Sequence, residues 1–164
     1  MMDGTIADII VVGGGHAGCE AALVAARLGQ DTILVTLQEA TIGALSCNPA
    51  IGGVGKGQLT RELDALGGVQ GIVTDLSGIH YRMLNTSKGE AVQSLRAQVD
   101  KEQYSRQMRT LIANQPQLRV WEGSVEDIHL EGDRAAGVEL EDGSVLRSSK
   151  VILTNGTFLR AVMH

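Results

Sequence analysis

Residues 7–36, ADIIVVGGGHAGCEAALVAARLGQDTILVT, decide the fold of this chain. The apolar run 7–12 predicts a buried strand, and the Ala- and Leu-rich run 17–28 predicts a helix that Gly29 ends. Residues 31–36 predict a second strand. Strand, glycine turn, helix and strand in this order form a βαβ unit, which has parallel strands and a right-handed crossover.

The turn between the first strand and the helix matches the pattern G-x-G-x-x-G at Gly13, Gly15 and Gly18. In this setting the first glycine permits a sharp turn, the second lets a pyrophosphate approach the backbone, and the third lets helix and strand pack closely. The helix start adds N–H groups and the positive end of the helix dipole. The residues predicted to bind a dinucleotide here are Gly13, Gly14, Gly15, His16, Ala17 and Gly18.

The ribose contact is harder to assign. An acidic residue about 20 positions after the glycine pattern normally binds a ribose hydroxyl. Thr36 occupies that place at the end of the second strand and is not acidic, and Glu39 reaches it only if the loop folds back. Thr36 is predicted to contact the cofactor, and the ribose partner stays open.

The rest of the chain favours FAD over NAD. A loop over 38–57 precedes a short helix (58–66), a strand (79–84), a helix (98–114), a strand (118–121), two alternating runs (125–130 and 135–140) and a final buried strand (150–154). This order resembles the FAD domain of glutathione-reductase-like flavoproteins. The fold class expected is α/β: a Rossmann-like FAD-binding domain with a central parallel sheet and a small antiparallel β-meander. In that fold Val125 meets the adenine through its backbone, and Gly156 approaches the dinucleotide.

Bulk composition sets further bounds. The chain has 164 residues, no evident linker, and a net charge of −5, which does not suggest a stand-alone nucleic-acid binder. No apolar run is long enough for a membrane span, and the N-terminus lacks a secretory pattern, so we expect a cytoplasmic protein without membrane contact. Two cysteines, Cys19 and Cys47, predict neither a disulfide nor a metal site. Cys19 lies within the first helix and is expected to be a small packing residue.

Three blocks resemble the GidA family, also called MnmG: GGGHAG at 13–18, CNPAIGGVGKG at 47–57, and NTSKGEAVQSLRAQ at 85–98. The third departs from the family pattern at Glu90, where proline is usual. The resemblance covers essentially the whole chain, at collinear spacing.

The resemblance implies a flavin enzyme. Members of the family bind FAD, reduce it with NADH, and act as homodimers with the GTPase MnmE on C5 of the wobble uridine of tRNA. They add an aminomethyl or carboxymethylaminomethyl group, with a methylene-folate as carbon source. Two alternatives stay open: a folate- and FAD-dependent tRNA uracil-5 methyltransferase, and a non-catalytic flavin-binding module.

The second block supplies the catalytic candidate. A Cys47 thiolate could add to C6 of uracil and make C5 nucleophilic. Gly52 and Gly53, with Gly55, are expected to turn backbone amides towards the cofactor as a polar nest. The cations that could neutralise phosphates of flavin, folate or tRNA are Lys56, Lys88 and Arg96. Because family chains are several times longer, residues 1–164 are expected to be one FAD-binding domain, an N-terminal fragment that binds FAD weakly and does not modify tRNA alone.

Overall fold

The computed structural model of the chain describes residues 6–45 and 48–158. Its strands are β1 (Ile6–Ala7), β2 (Ile9–Val12), β3 (Thr32–Thr36), β4 (Ala50–Gly52), β5 (Gly78–Leu84), β6 (Ser94–Val99), β7 (Leu118–Glu122), β8 (Val125–Glu131), β9 (Arg134–Leu140), β10 (Val145–Ser148) and β11 (Val151–Leu153). Its α-helices are α1 (His16–Arg27), α2 (Lys56–Ala65), α3 (Gln70–Ser77) and α4 (Lys101–Asn114). Short 3-10 turns cover Glu39–Thr41 and Glu90–Val92. None of the helices in these ranges is long and apolar enough to cross a membrane.

The chain divides into two compact units, one made of residues 1–42 and 109–164 and the other of residues 43–108. In the first unit, four parallel strands form a sheet in the order β11-β2-β3-β7. Helix α1 connects β2 to β3 and packs on this sheet, which confirms the predicted βαβ unit. The expectation of one domain over residues 1–164 stays a prediction.

The predicted meander is confirmed in the same unit. Strands β10, β9 and β8 pair antiparallel, and β1 joins their edge in parallel to β10. Apolar side chains from this sheet and from the parallel sheet share one buried cluster, Ala7, Ile10, Val12, Ile33, Val35, Val125, Val138, Leu140 and Leu146. The removal of these side chains from water holds the two sheets face to face.

Two details of this unit differ from the sequence prediction. The single strand predicted over 7–12 is wrong, because the chain bends at Asp8 and passes from one sheet to the other. The Asp8 carboxylate accepts a hydrogen bond from the Asp31 N–H at 2.9 Å, and the Asp8 backbone carbonyl accepts one from the Ser148 hydroxyl at 2.9 Å. The last strand is not buried: Leu153 is 46% exposed, because β11 is an edge strand.

The second unit is built on a three-stranded antiparallel sheet in the order β4-β6-β5. Helix α2 and strand β5 lie where the sequence predicted them, whereas β4, β6 and α3 were missed. The helix predicted from residue 98 begins later, at Lys101. Asp100 sets that start, since its Oδ1 accepts from the Gln103 N–H at 2.8 Å and its carbonyl from the Tyr104 N–H at 2.9 Å.

Candidate nucleotide-binding site

The glycine turn lies between the end of β2 and the start of α1, as the sequence predicts. Gly13 has a φ of +109°, a conformation that side-chain-bearing residues rarely adopt. Its N–H donates to the carbonyl of Val35 on β3 at 2.8 Å. The Thr154 hydroxyl, just after β11, donates to the Val12 carbonyl at 2.7 Å. The turn is therefore fixed to both neighbouring strands.

Gly13 and Gly18 have no room for a side chain. A Cβ on Gly18 would collide with the carbonyl oxygen of Gly13 and would lie 2.7 Å from the Thr154 hydroxyl. A Cβ on Gly13 would lie 2.7 Å from the carbonyl oxygen of Thr154. These contacts match the roles predicted for the first and third glycines, the sharp turn and the close helix–strand packing. Thr154, whose hydroxyl lies close to both glycines, was not among the predicted site residues.

Gly14 and Gly15 differ in the room that each would leave for a side chain. A Cβ on Gly14 would lie 2.8 Å from the Thr36 hydroxyl oxygen, so this glycine is packed against β3. A Cβ on Gly15 would meet no atom of residues 6–45 and 48–158 within 4 Å, and its backbone is extended, with φ −74° and ψ −174°. Gly15 is exposed. Packing within the described part of the chain therefore does not explain glycine at this position, whereas the approach of a ligand does.

The first turn of α1 presents unused donors. The first intrahelical bond joins the Cys19 N–H to the Gly15 carbonyl at 2.9 Å. Within residues 6–45 and 48–158, the amides of Ala17 and Gly18 donate no hydrogen bond. His16 opens the helix, and the first turn carries no acidic side chain. Unused N–H groups and the positive end of the helix dipole favour an anion at this point.

Cys19 has the packing role that the sequence predicted. Its side chain is fully buried, and the Sγ approaches the Gly14 carbonyl oxygen at 3.4 Å. The thiol therefore supports the turn from inside.

The ribose region brings together two acidic residues, of which the sequence suggested only one. Thr36 is buried, and its hydroxyl lies 3.5 Å from the Gln38 carbonyl. Glu122 stands beside Thr36 in the parallel register of β3 and β7, and its carboxylate accepts from the backbone N–H of Glu39 at 2.5 Å. Both glutamates are exposed. Glu122 was missed because only strand pairing places it beside residue 36.

Val125 and Gly156 lie at the ends of other strands of the first unit. The Val125 side chain is buried in the core, which leaves only its backbone for a ligand; the adenine contact stays a prediction. Gly156 is exposed, has a φ of +56°, and has nothing within 4 Å of a Cβ position. The Asn155 side-chain amide donates to the Phe158 carbonyl at 2.8 Å and closes the turn around it.

The second unit contains the remaining predicted glycines. Gly52 has a φ of +102°, and a Cβ there would collide with the carbonyl of Leu95 on β6. The Gly53 N–H donates to the same carbonyl at 2.9 Å, and the Gly55 N–H donates to the Gln58 side chain at 2.9 Å. The predicted nest is wrong for these two amides, because both are satisfied within the chain.

The predicted catalytic cysteine and the three predicted cations of the second unit have different environments. Cys47 lies outside the described residues. Desolvation lowers the pKa of the Lys56 amine, which lies 3.5 Å from the Ala50 carbonyl. Lys88 is exposed in the turn before the second 3-10 segment, and Arg96 is exposed on β6. The described residues contain no cluster of three His, Cys, Asp or Glu side chains that could hold a metal ion.

Comparison with known proteins decides the family. The family model described as glucose inhibited division protein A matches residues 8–164. This chain belongs to that family. This match confirms the resemblance seen in the three sequence blocks. It does not favour the methyltransferase alternative.

A curated relative carries a functional name. The protein of Granulibacter bethesdensis named tRNA uridine 5-carboxymethylaminomethyl modification enzyme MnmG is 54% identical over 160 residues, which cover 96% of this chain and 25% of that protein. The chain thus spans about a quarter of the length of the curated relatives it matches.

Solved structures confirm the fold class. The chain is similar to Aquifex aeolicus GidA, with a TM-score of 0.87 and 48% identity over 93% of this chain and 25% of that one. It is also similar to PqsL, a probable FAD-dependent monooxygenase from Pseudomonas aeruginosa, with a TM-score of 0.64 over 98% of this chain and 47% of that one. At 20% identity, this second likeness shows the fold alone.

Proposed function

We propose that this chain is the FAD-binding part of an enzyme that modifies C5 of the wobble uridine in tRNA. The observation that carries the proposal is the exposed Gly15 at the start of α1, where packing leaves a place for a ligand. The name of the Granulibacter relative supports the tRNA substrate and the carboxymethylaminomethyl product.

The residues of the first unit suit a flavin dinucleotide. The amides of Ala17 and Gly18 would donate to the diphosphate, and Gly15 would let it approach the backbone. His16 at the helix start, together with Gly13 and Gly14, would shape the turn around it. FAD, once bound, supplies the redox chemistry, and the protein supplies binding and orientation.

The other predicted contacts belong to the same proposal. Val125 would meet the adenine through its backbone, Gly156 would let the dinucleotide pass close to the chain, and Thr36 would border the ribose region. Gly52 and Gly53 stay proposed cofactor residues on the sequence pattern. At Gly53 a Cβ position has only the Leu84 side chain near it, at 4.0 Å, so a ligand can approach that backbone.

The catalytic part of the proposal concerns Cys47. Its thiolate would form a bond to C6 of the target uracil, which places negative charge on C5 and lets that carbon attack the one-carbon unit. The enzyme as a whole would use NADH as reductant and MnmE as partner, and would work as a cytoplasmic homodimer. These finer statements rest on the family resemblance.

A complementation experiment tests the function. A strain lacking the gene receives the natural gene or its Cys47→Ser variant, and tRNA nucleosides are analysed by liquid chromatography and mass spectrometry. The proposal predicts that carboxymethylaminomethyl-type uridine disappears in the deletion strain and returns with the natural gene alone, although both proteins bind FAD. An unchanged nucleoside profile in the deletion strain would exclude this function.

The same strain separates the alternatives. Loss of 5-methyluridine, instead of the wobble modification, would indicate the methyltransferase. An unchanged profile together with bound flavin would indicate a non-catalytic flavin module.

A further inference from the structure

A cavity of about 410 Å³ lies on the second unit, over one face of the β4-β6-β5 sheet. Its size falls in the range of roughly 300–1,000 Å³ that is usual for small-molecule sites. The polar residues that line it are Asn48, His80, Arg82, Arg96 and Gln98, and the other lining residues are apolar. None of the described residues that line it is acidic.

The strand register brings the two arginines together. Arg82 on β5 is the direct partner of Arg96 on β6, and His80 is the partner of Gln98. Because side chains alternate along a strand, these four share one face. The opposite face carries Ala97 and Val99, which are buried. The core therefore fixes the register, since a slip by one residue would bury the arginines.

This pairing is unfavourable without a ligand. Like charges directly opposite each other in a sheet repel. Elsewhere in the described chain arginines meet carboxylates, as Arg119 does with Asp31 at 2.7 Å. Within residues 6–45 and 48–158, the side chains of Arg82 and Arg96 form no hydrogen bond and no ion pair. A guanidinium is a rigid fork of donors that matches the oxygens of a phosphate or carboxylate.

We propose that Arg82 and Arg96 form a clamp for an oxyanion, a phosphate or carboxylate group, held in the cavity between β5 and β6. His80 and Gln98, one register position along, would contact the part of the ligand next to the anionic group. This site goes beyond flavin binding: Arg82, His80 and Gln98 are not among the residues proposed to contact FAD, and Arg96, expected from the sequence to neutralise a phosphate, here acts with Arg82. Arg82 was missed by the sequence analysis, because only the pairing of β5 with β6 reveals its partner.

The test measures phosphate binding to the full-length natural protein saturated with FAD, so that the glycine turn takes up no phosphate. Binding of ³²P-labelled orthophosphate is followed by equilibrium dialysis for the natural protein and for Arg82→Gln and Arg96→Gln. Arg61→Gln is the matched control, since Arg61 is an exposed arginine of α2 outside the cavity. We expect each clamp variant to bind phosphate about tenfold more weakly or worse, and the control to bind it normally.

Thermal stability supplies a second readout that a purely structural role would not give. Without phosphate, either clamp variant is expected to melt above the natural protein, because the repulsion is removed. Added phosphate should raise the melting temperature of the natural protein and of Arg61→Gln, and not that of the clamp variants. Equal phosphate binding in the natural protein and both clamp variants, or an equal loss in Arg61→Gln, would overturn the clamp.

Two further arms identify the source of the anionic group. If the clamp holds an RNA phosphate, each variant weakens binding of unmodified tRNA and lowers the slope of log affinity against log salt by about 1. If it holds a free small anion, tRNA binding is unchanged while binding of orthophosphate or ¹⁴C-acetate is lost. Flavin content, measured on the same samples, shows separately whether the FAD proposal holds.

Discussion

Replacing Gly15 by alanine adds one methyl group at a place where the folded chain has open space. No atom from the described part of the chain lies within 4 Å of the added carbon, and the backbone angles there suit any residue. Two small effects on folding oppose each other. Alanine is a poorer N-cap than glycine by about 0.5–1 kcal/mol, and it lowers the entropy of the unfolded chain, which stabilises the fold by about 0.4–1 kcal/mol. We expect the free energy of unfolding to change by less than about 1 kcal/mol.

The effect on FAD should be much larger. The methyl group would occupy the space through which the diphosphate reaches the amides of Ala17 and Gly18. Loss of one hydrogen bond to a charged group costs about 1.5–3 kcal/mol, so the dissociation constant for FAD should rise about 10- to 150-fold. Titration of apoprotein with FAD, followed by quenching of flavin fluorescence, measures this change, and urea unfolding measures stability.

Gly89→Ala is the matched control for this change. Gly89 precedes a 3-10 turn as Gly15 precedes α1, has φ −59° and ψ 152°, and has no described residue within 4 Å of a Cβ position. Its variant should bind FAD like the natural protein. If Gly15→Ala is folded and binds FAD with unchanged affinity, the reasoning about the turn is refuted.

Three further outcomes follow from the same structure. Gly18→Ala should destabilise the fold by several kcal/mol, because the methyl group collides with the Gly13 carbonyl. Thermal melting followed by circular dichroism measures this loss, and a melting temperature equal to that of the natural protein would contradict the packing described. Gly29→Ala should destabilise the fold by about 1–2 kcal/mol, because residue 29 has a φ of +85°. The folded variant should bind FAD with unchanged affinity, and a large loss of FAD affinity would count against a purely local effect. Hydrogen bonds from the Ser144 hydroxyl and N–H lower the pKa of Asp142, so its contribution to stability is present above the usual aspartate pKa of about 3.9 and is lost as pH falls through the lowered value. Urea unfolding at acid pH should therefore show a smaller stability difference between the natural protein and Asp142→Ala. A stability difference that does not change with pH would contradict this.

Local patterns were sufficient to predict the βαβ unit and the meander. The glycine pattern, the Ala-rich helix and the hairpin turns each report on residues that are neighbours in the chain. Cys19 was placed correctly for the same reason, since its position within the predicted first helix is a local feature, and its side chain is buried.

Helix α3 shows why a local pattern can mislead. Ile72, Val73 and Thr74 are residues typical of strands, and the segment was not predicted to be helical. Its buried residues are Gln70, Val73, Thr74 and Ser77, which is helical spacing. The hydroxyls of Thr74 and Ser77 donate to carbonyls one turn earlier, both at 2.6 Å, and so satisfy themselves inside the helix.

Other features depend on pairing between distant segments. Glu122 reaches the end of β3, and Arg82 meets Arg96, only through strand register. The exposure of β11 depends on its place at the edge of the sheet, which its apolar sequence does not reveal. No spacing within the sequence predicts these contacts.

A crystal structure of the full-length natural protein with FAD would show whether the start of α1 binds the diphosphate. We expect diphosphate oxygens about 2.7–3.2 Å from the amide nitrogens of Ala17 and Gly18, with Gly15 in van der Waals contact. A diphosphate bound away from the start of α1, with these amides facing solvent, would contradict this expectation.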